Sequence, residues 1–165
     1  MSKSTFITFK PIGEILQEAG LITPPQLEVA LRDQSYYQDM RLGEILALRG
    51  WIEQQTADFF VQEWFKLIQR RIEHPIGFYF QQAGLLTEED INKILLEQHK
   101  SSLRFGDTAI RQGLIKPDTV EFFLKNLFPS QLAQPKPQPE KIKEKITKDD
   151  ITYWVTLSTA KITNS

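Results

Sequence analysis

The side chains able to do covalent or metal chemistry are few and scattered. His74 and His99 are separated by helix, glycine turn and helix, and neither sits in a metal-ligand spacing such as His-x-x-x-His, so both read as surface residues. The chain has no cysteine, which excludes disulfides, thiolate nucleophiles and cysteine-ligated zinc or iron-sulfur centres. Glu88, Glu89 and Asp90 form a run of carboxylates, but they follow Thr87 at the start of an apolar-striped segment, where the helix dipole accounts for them. No Gly-x-Ser-x-Gly elbow and no Gly-x-x-x-x-Gly-Lys phosphate loop occurs. The expectation is a protein that is not an enzyme and holds no metal or resident cofactor. Lys66, Arg70 and Arg71 line one side of a helical stretch, yet no aromatic platform interleaves them and the formal net charge is -1. Nucleic acid is therefore not an expected partner.

What the sequence does carry is a scaffold that repeats. Aligned on paired glycines, four 24-residue units appear: "PIGEILQEAGLITPPQLEVALRDQ" from Pro11, "RLGEILALRGWIEQQTADFFVQEW" from Arg41, "PIGFYFQQAGLLTEEDINKILLEQ" from Pro75 and "RFGDTAIRQGLIKPDTVEFFLKNL" from Arg104. The glycine pairs, Gly13/Gly20, Gly43/Gly50, Gly77/Gly84 and Gly106/Gly113, use all eight glycines of the chain. The first and third units open with Pro and close with Gln, whereas the second and fourth open with Arg, so the higher-order unit is a pair present twice.

Each unit reads as a helix-turn-helix. A short helix lies between the glycines, as over Glu14 to Ala19 with Ile15 and Leu16 turned inward, and the second glycine supplies a left-handed helix C-cap. An apolar pair follows (Leu21-Ile22, Trp51-Ile52, Leu85-Leu86, Leu114-Ile115), and a second helix begins. Thr23 with Pro24 and Gln26, and Thr87 with the acidic residues behind it, are N-terminal caps. Apolar residues at i, i+3 and i+4 give each second helix one buried face: Leu27, Ala30 and Leu31; Ala57, Phe60 and Val61; Ile91, Ile94 and Leu95; Val120, Phe123 and Leu124. No hairpin can bury that face alone, so copy one is expected to pack on copy two and copy three on copy four. The helix of the second unit is expected to run on through "WFKLIQRRIEH", making one element from Gln54 to His74 that joins the pairs.

The fold class expected is mainly α, built of tandem helix-turn-helix repeats, four units in two pairs, followed by a flexible C-terminal tail able to form a short strand. The expected divisions are 1–74 for the first pair with an N-terminal extension, 75–128 for the second, 129–150 for a Pro/Lys-rich linker and 151–165 for a tail or docking peptide. In that tail "ITYWVTLSTAKI" has strand-like composition, and it would have to pair with a partner, with the N-terminal "TFITF", or stay unstructured. The N-terminus lacks the apolar core of a signal peptide, and no apolar run approaches the ~20 residues that span a bilayer. A soluble, cytoplasmic protein without a membrane span is expected.

The residues "RLGEIL" from Arg41 and "GLITPPQLEVALRDQ" from Gly20 carry a resemblance. The pattern Arg-Leu-Gly, apolar pair, Gly, Leu-Ile, Thr, a leucine-striped helix and a closing Gln resembles the N-terminal regulatory domain of type II secretion and type IV pilus assembly ATPases, the MshEN domain. The resemblance spans residues 11 to 127 as two tandem pairs. It implies binding of cyclic di-GMP along an extended helical surface. In the family the opening Arg packs on a guanine and contacts phosphate, the Gly admits the ligand to the backbone, the leucines form an apolar bed and the closing Gln hydrogen-bonds the ligand. By position those places fall on Leu31, Gln34, Arg41, Gly43 and Leu46 in the first pair and on Leu95, Gln98, Arg104 and Gly106 in the second. Planar guanidinium groups suit this chemistry because they stack on rings and pair with phosphate oxygens.

Two departures stand beside the match. Pro11 and Pro75 occupy places where the family has Arg, and the spacer before Arg41 is "SYYQDM", six residues, against the five of "HKSSL" before Arg104, the length the family favours. The family's ATPase engine has no counterpart in this sequence, so output would pass through a protein partner in pilus, secretion or signalling machinery. Two functional readings stay open: a cyclic di-GMP sensor, or an adaptor that keeps the scaffold for protein contact and has lost the nucleotide.

Overall fold

The second glycine of each unit is where the chain reverses. Gly20, Gly50, Gly84 and Gly113 have φ of 70°, 72°, 69° and 71°, a left-handed conformation that strains a residue bearing a Cβ. Around Gly20 the reversal is a Schellman motif: the Gly20 N–H donates to the Gln17 carbonyl at 3.0 Å, and the Leu21 N–H to the Leu16 carbonyl at 3.0 Å. The same pair of bonds closes the turns at the other three glycines.

The computed structural model describes residues 10–132, which are helical and contain no strand. In chain order the elements are α1 (Ile12–Glu18), α2 (Pro24–Tyr36), α3 (Leu42–Leu48), α4 (Gln54–Gln62), α5 (Trp64–Gln69), α6 (Ile76–Gln82), α7 (Glu88–Lys100), α8 (Phe105–Arg111), α9 (Pro117–Leu127) and α10 (Pro129–Leu132). The chain is mainly α. The "TFITF" and "ITYWVTLSTAKI" segments lie outside the described residues. Among the described residues no helix is long and apolar enough to cross a membrane.

Local chemistry explains where the helices start. Thr23 caps α2 through a capping box with Gln26, and Thr87 caps α7 through one with Asp90, each box satisfying two backbone donors that a helix start otherwise leaves unpaired. The Thr87 N–H donates to Asp90 Oδ2 at 2.9 Å and the Asp90 N–H to Thr87 Oγ1 at 3.1 Å. The Thr87 N–H and the Thr87 hydroxyl, which donates to Asp90 Oδ2 at 2.8 Å, lower the Asp90 pKa from its ordinary value, the backbone bond contributing most.

The expected element from Gln54 to His74 is instead two helices and a connector. The helix breaks at Glu63, φ -107° and ψ -35°, and α5 ends at Gln69 with Arg70 extended at ψ 162°. Burial of aromatic rings accounts for the break: Trp64 is 3% exposed, its ring 4.9 Å from Phe122 and 5.2 Å from Phe60. A straight continuation of α4 would carry that ring along the helix rather than into the cluster.

Helix packing within each half follows the chain, α2 and α4 on α3, α7 and α9 on α8. The halves also pack on each other, and they do so reciprocally. Thr56 and Thr119 hold the same place in the second and fourth units; Thr56 Oγ1 donates to the Ala83 carbonyl at 2.7 Å, and Thr119 Oγ1 donates to the Ala19 carbonyl at 2.7 Å. The ring pairs repeat the exchange. Phe59 lies 6.3 Å from Phe123, its counterpart Phe122 lies 6.3 Å from Phe60, and Phe60 meets Phe123 at 6.1 Å. Phe60, Phe80 and Phe123 are fully buried, each worth about 1.5–3 kcal/mol of transfer from water. One continuous core thus runs through both halves. Two residues expected on buried faces are not in it: Leu31 is 50% exposed and Val61 46%.

Candidate functional site

All four unit-opening residues are helix N-caps with the same extended backbone. Pro11 has ψ 146°, Arg41 153°, Pro75 160° and Arg104 159°, and φ at Pro11 and Pro75 is -56° and -67°. Proline fits such a position because its ring fixes φ near these values. The substitution leaves the backbone alone and removes only the guanidinium and an N–H. Arg41 retains that N–H, which donates to Glu44 Oε2 at 2.7 Å.

In the first half, α2 ends at Tyr36 and the chain loops to Arg41. Gln34 Nε2 donates to the Met40 carbonyl at 3.4 Å, so the Gln34 side chain ties the end of α2 to the residue just before Arg41. Gln34 is half-buried, while Arg41 is exposed and Leu31 half-exposed. Below them Asp33 accepts from Arg49 Nε, a bond across the α2/α3 seam that lowers the Asp33 pKa and raises that of Arg49. Arg49 in turn lies over the Trp51 ring, 5.0 Å from its centroid. Leu31, Gln34 and Arg41 belong to one helix end and the loop that follows it.

The second half differs at the corresponding place. Gln98 and Leu95 are half-buried on α7, and Arg104 is half-buried, with Nη1 donating to the Gln131 carbonyl at 3.0 Å. The more accessible opening arginine is Arg41.

The remaining sequence-derived candidates lie inside the fold. Leu46 is 0% exposed and belongs to the core, so it offers a ligand no surface. Gly43 is buried against α4, where an added Cβ would come within 2.8 Å of the Ala57 Cβ; at Gly106 it would come within 2.7 Å of Val120 Cγ1 on α9. Close helix contact is thus sufficient reason for both glycines.

Sequence reasoning missed Thr56 and Thr119, the polar residues that lock the halves together. Their signal was available, since Thr recurs at one place in the two Arg-opened units. It also missed the exposure of three large side chains of the first half: Tyr36 is 79% exposed, Tyr37 59% and Leu48 75%. A shallow depression of about 240 Å³ lies where the halves meet, lined by Leu21, Trp51, Glu53, Gly84 and Leu85 among others. Among the described residues no group of three or more His, Asp or Glu side chains is placed to hold a metal ion.

No family model and no solved structure matches the chain. The chain is similar to an uncharacterized protein of a Picosynechococcus species, 45% identical over 120 residues, a stretch covering 70% of this chain and 63% of that protein. The chain therefore spans less than two thirds of the length of the curated relative it matches.

Proposed function

We propose that this chain is a non-enzymatic regulatory module that binds cyclic di-GMP at the Leu31, Gln34 and Arg41 face and passes the bound state to a protein partner. The observation that carries the reading is that Arg41 is exposed and that the Gln34 amide is tied to the Met40 carbonyl, the backbone immediately before Arg41. A guanidinium there can pair with a phosphate oxygen or lie on a guanine, the Gln34 amide can meet a base edge, and Leu31 offers an apolar surface under a ring. Pro11 in place of Arg halves the cations of this face, so modest affinity is expected. Calorimetry with cyclic di-GMP tests the reading: Arg41→Ala should abolish most of the heat, while Arg71→Ala, an exposed arginine away from this face, should leave it unchanged. No heat at high ligand excess would remove the sensor reading.

An adaptor that has lost the nucleotide is the second reading, favoured by the exposure of Tyr36, Tyr37 and Leu48 on the first half. It predicts that Leu48→Glu weakens partner binding in a chain that gives no heat with the nucleotide.

A further inference from the structure

The two opening arginines share a backbone conformation and differ in what lies over them. Arg41 ends a loop and is exposed, whereas Arg104 reaches α10, donating from Nη1 to the Gln131 carbonyl at 3.0 Å. The helix α10 packs on α9 and is set in place by Phe128, whose ring lies 6.2 Å from Tyr79. Its turn is closed by the Gln131 N–H donating to the Phe128 carbonyl at 2.9 Å. None of the residues of α10 is buried, and Leu132 remains 45% exposed. The turn therefore holds one N–H of a half-buried arginine while contributing little apolar burial of its own, a combination that permits release without disturbing the core.

We propose that α10 is a releasable cover that withholds Arg104 from an anionic ligand, leaving the first half as the open face and the second as a latent one. This rests on the ligand-binding reading above. The covering group is a backbone carbonyl that holds the Nη1 N–H and the side chain's direction, so a phosphate oxygen must compete with it for that donor, and a ligand gains the bidentate guanidinium geometry of the second face by displacing the turn. Ligand occupancy of the second face and the position of the chain beyond Phe128 would then be coupled, each favouring or opposing the other by the same factor.

Gln131→Pro in the full chain tests the cover, because proline lacks the N–H that closes the turn and disfavours helical geometry at Ser130. Gln131→Ala, which keeps the carbonyl and the N–H, is the control. Arginine labelling with phenylglyoxal, read peptide by peptide by mass spectrometry, should modify Arg41 several-fold faster than Arg104 in the parent and in Gln131→Ala. Gln131→Pro should bring Arg104 up several-fold and leave Arg41 unchanged. An Arg104 rate that already equals that of Arg41 in the parent, or does not move in Gln131→Pro, overturns the cover. In a parallel titration with cyclic di-GMP the parent should take up ligand in an Arg41-dependent manner alone, and Gln131→Pro should add an Arg104-dependent component. If Arg104 is unmasked and neither protein binds the nucleotide, it is the ligand-binding reading that fails, and a role for α10 in gating that ligand fails with it. If the nucleotide binds the parent equally through both arginines, the reading survives and the cover does not.

Discussion

Replacing Gly43 by alanine separates a glycine required for packing from one required for ligand access. The new Cβ would stand 2.8 Å from the Ala57 Cβ, an atom fixed to the α4 backbone that cannot rotate away. Forcing a methyl into such a contact costs about 1–3 kcal/mol. The gain in helix propensity from glycine to alanine returns at most ~1 kcal/mol and less near a helix start, where Gly43 sits. The expected net loss is about 1–2 kcal/mol, with roughly 2–4 °C of Tm per kcal/mol for a chain of this length. Gly13→Ala is the matched comparison. Its Cβ would meet only side-chain tips, Leu27 Cδ1 at 2.6 Å and Leu42 Cδ2 at 3.2 Å, which can move as a backbone-fixed Cβ cannot, so the loss should be smaller than for Gly43→Ala. Urea unfolding of both variants, together with Ala57→Gly and the Gly43→Ala/Ala57→Gly double variant, completes the assay. Ala57→Gly should be destabilising alone yet recover stability in the Gly43→Ala background, with a coupling of about 1 kcal/mol or more. A Gly43→Ala midpoint equal to that of the parent, or a coupling near zero, would refute the packing argument and return Gly43 to the list of residues that serve a ligand.

Thr56→Val and Thr119→Val should each destabilise by about 1–3 kcal/mol in urea unfolding, because each leaves a buried carbonyl, Ala83 or Ala19, without its donor; parental stability in both would mean that the reciprocal bonds do not hold the halves. Thr87→Ala should cost about 1 kcal/mol through loss of the α7 cap, measurable as a lowered thermal midpoint. Asp90 supplies a pH dependence: its pKa is lower in the folded chain, so its stabilisation is present above the unfolded value of about 3.9 and lost as pH falls through the folded one. The stability gap between parent and Asp90→Asn should therefore shrink in urea titrations below about pH 4, and a gap constant from pH 7 to pH 3 would contradict this.

The local grammar was readable from sequence because it depends on neighbours along the chain. The left-handed glycines, the boxes at Thr23 and Thr87, and the inward turn of Ile15 and Leu16 each follow from residues within one turn. What escaped depends on contacts between distant segments. A helical stripe says that a face is apolar without saying how wide its partner is, so Leu31 and Val61 match the period yet stay half-exposed. The break at Glu63 follows from where Trp64 must place its ring among Phe60, Phe122 and Phe123, residues supplied by both halves. Of the candidate site, the resemblance named Gln34 and Arg41 together with Leu46 and Gly43, and it could not say that the fold turns the last two inward. Nor could it anticipate that a turn beyond the last unit would reach Arg104.

The central proposal, that the end of α2 and the following loop form a cyclic di-GMP face, is tested most directly by an amide-resolved NMR titration of the full chain with that nucleotide. Saturable shifts centred on Leu31, Gln34 and Arg41 are the predicted result. A spectrum unchanged at millimolar nucleotide, or shifts confined to surfaces away from α2 and the loop to Arg41, would contradict it.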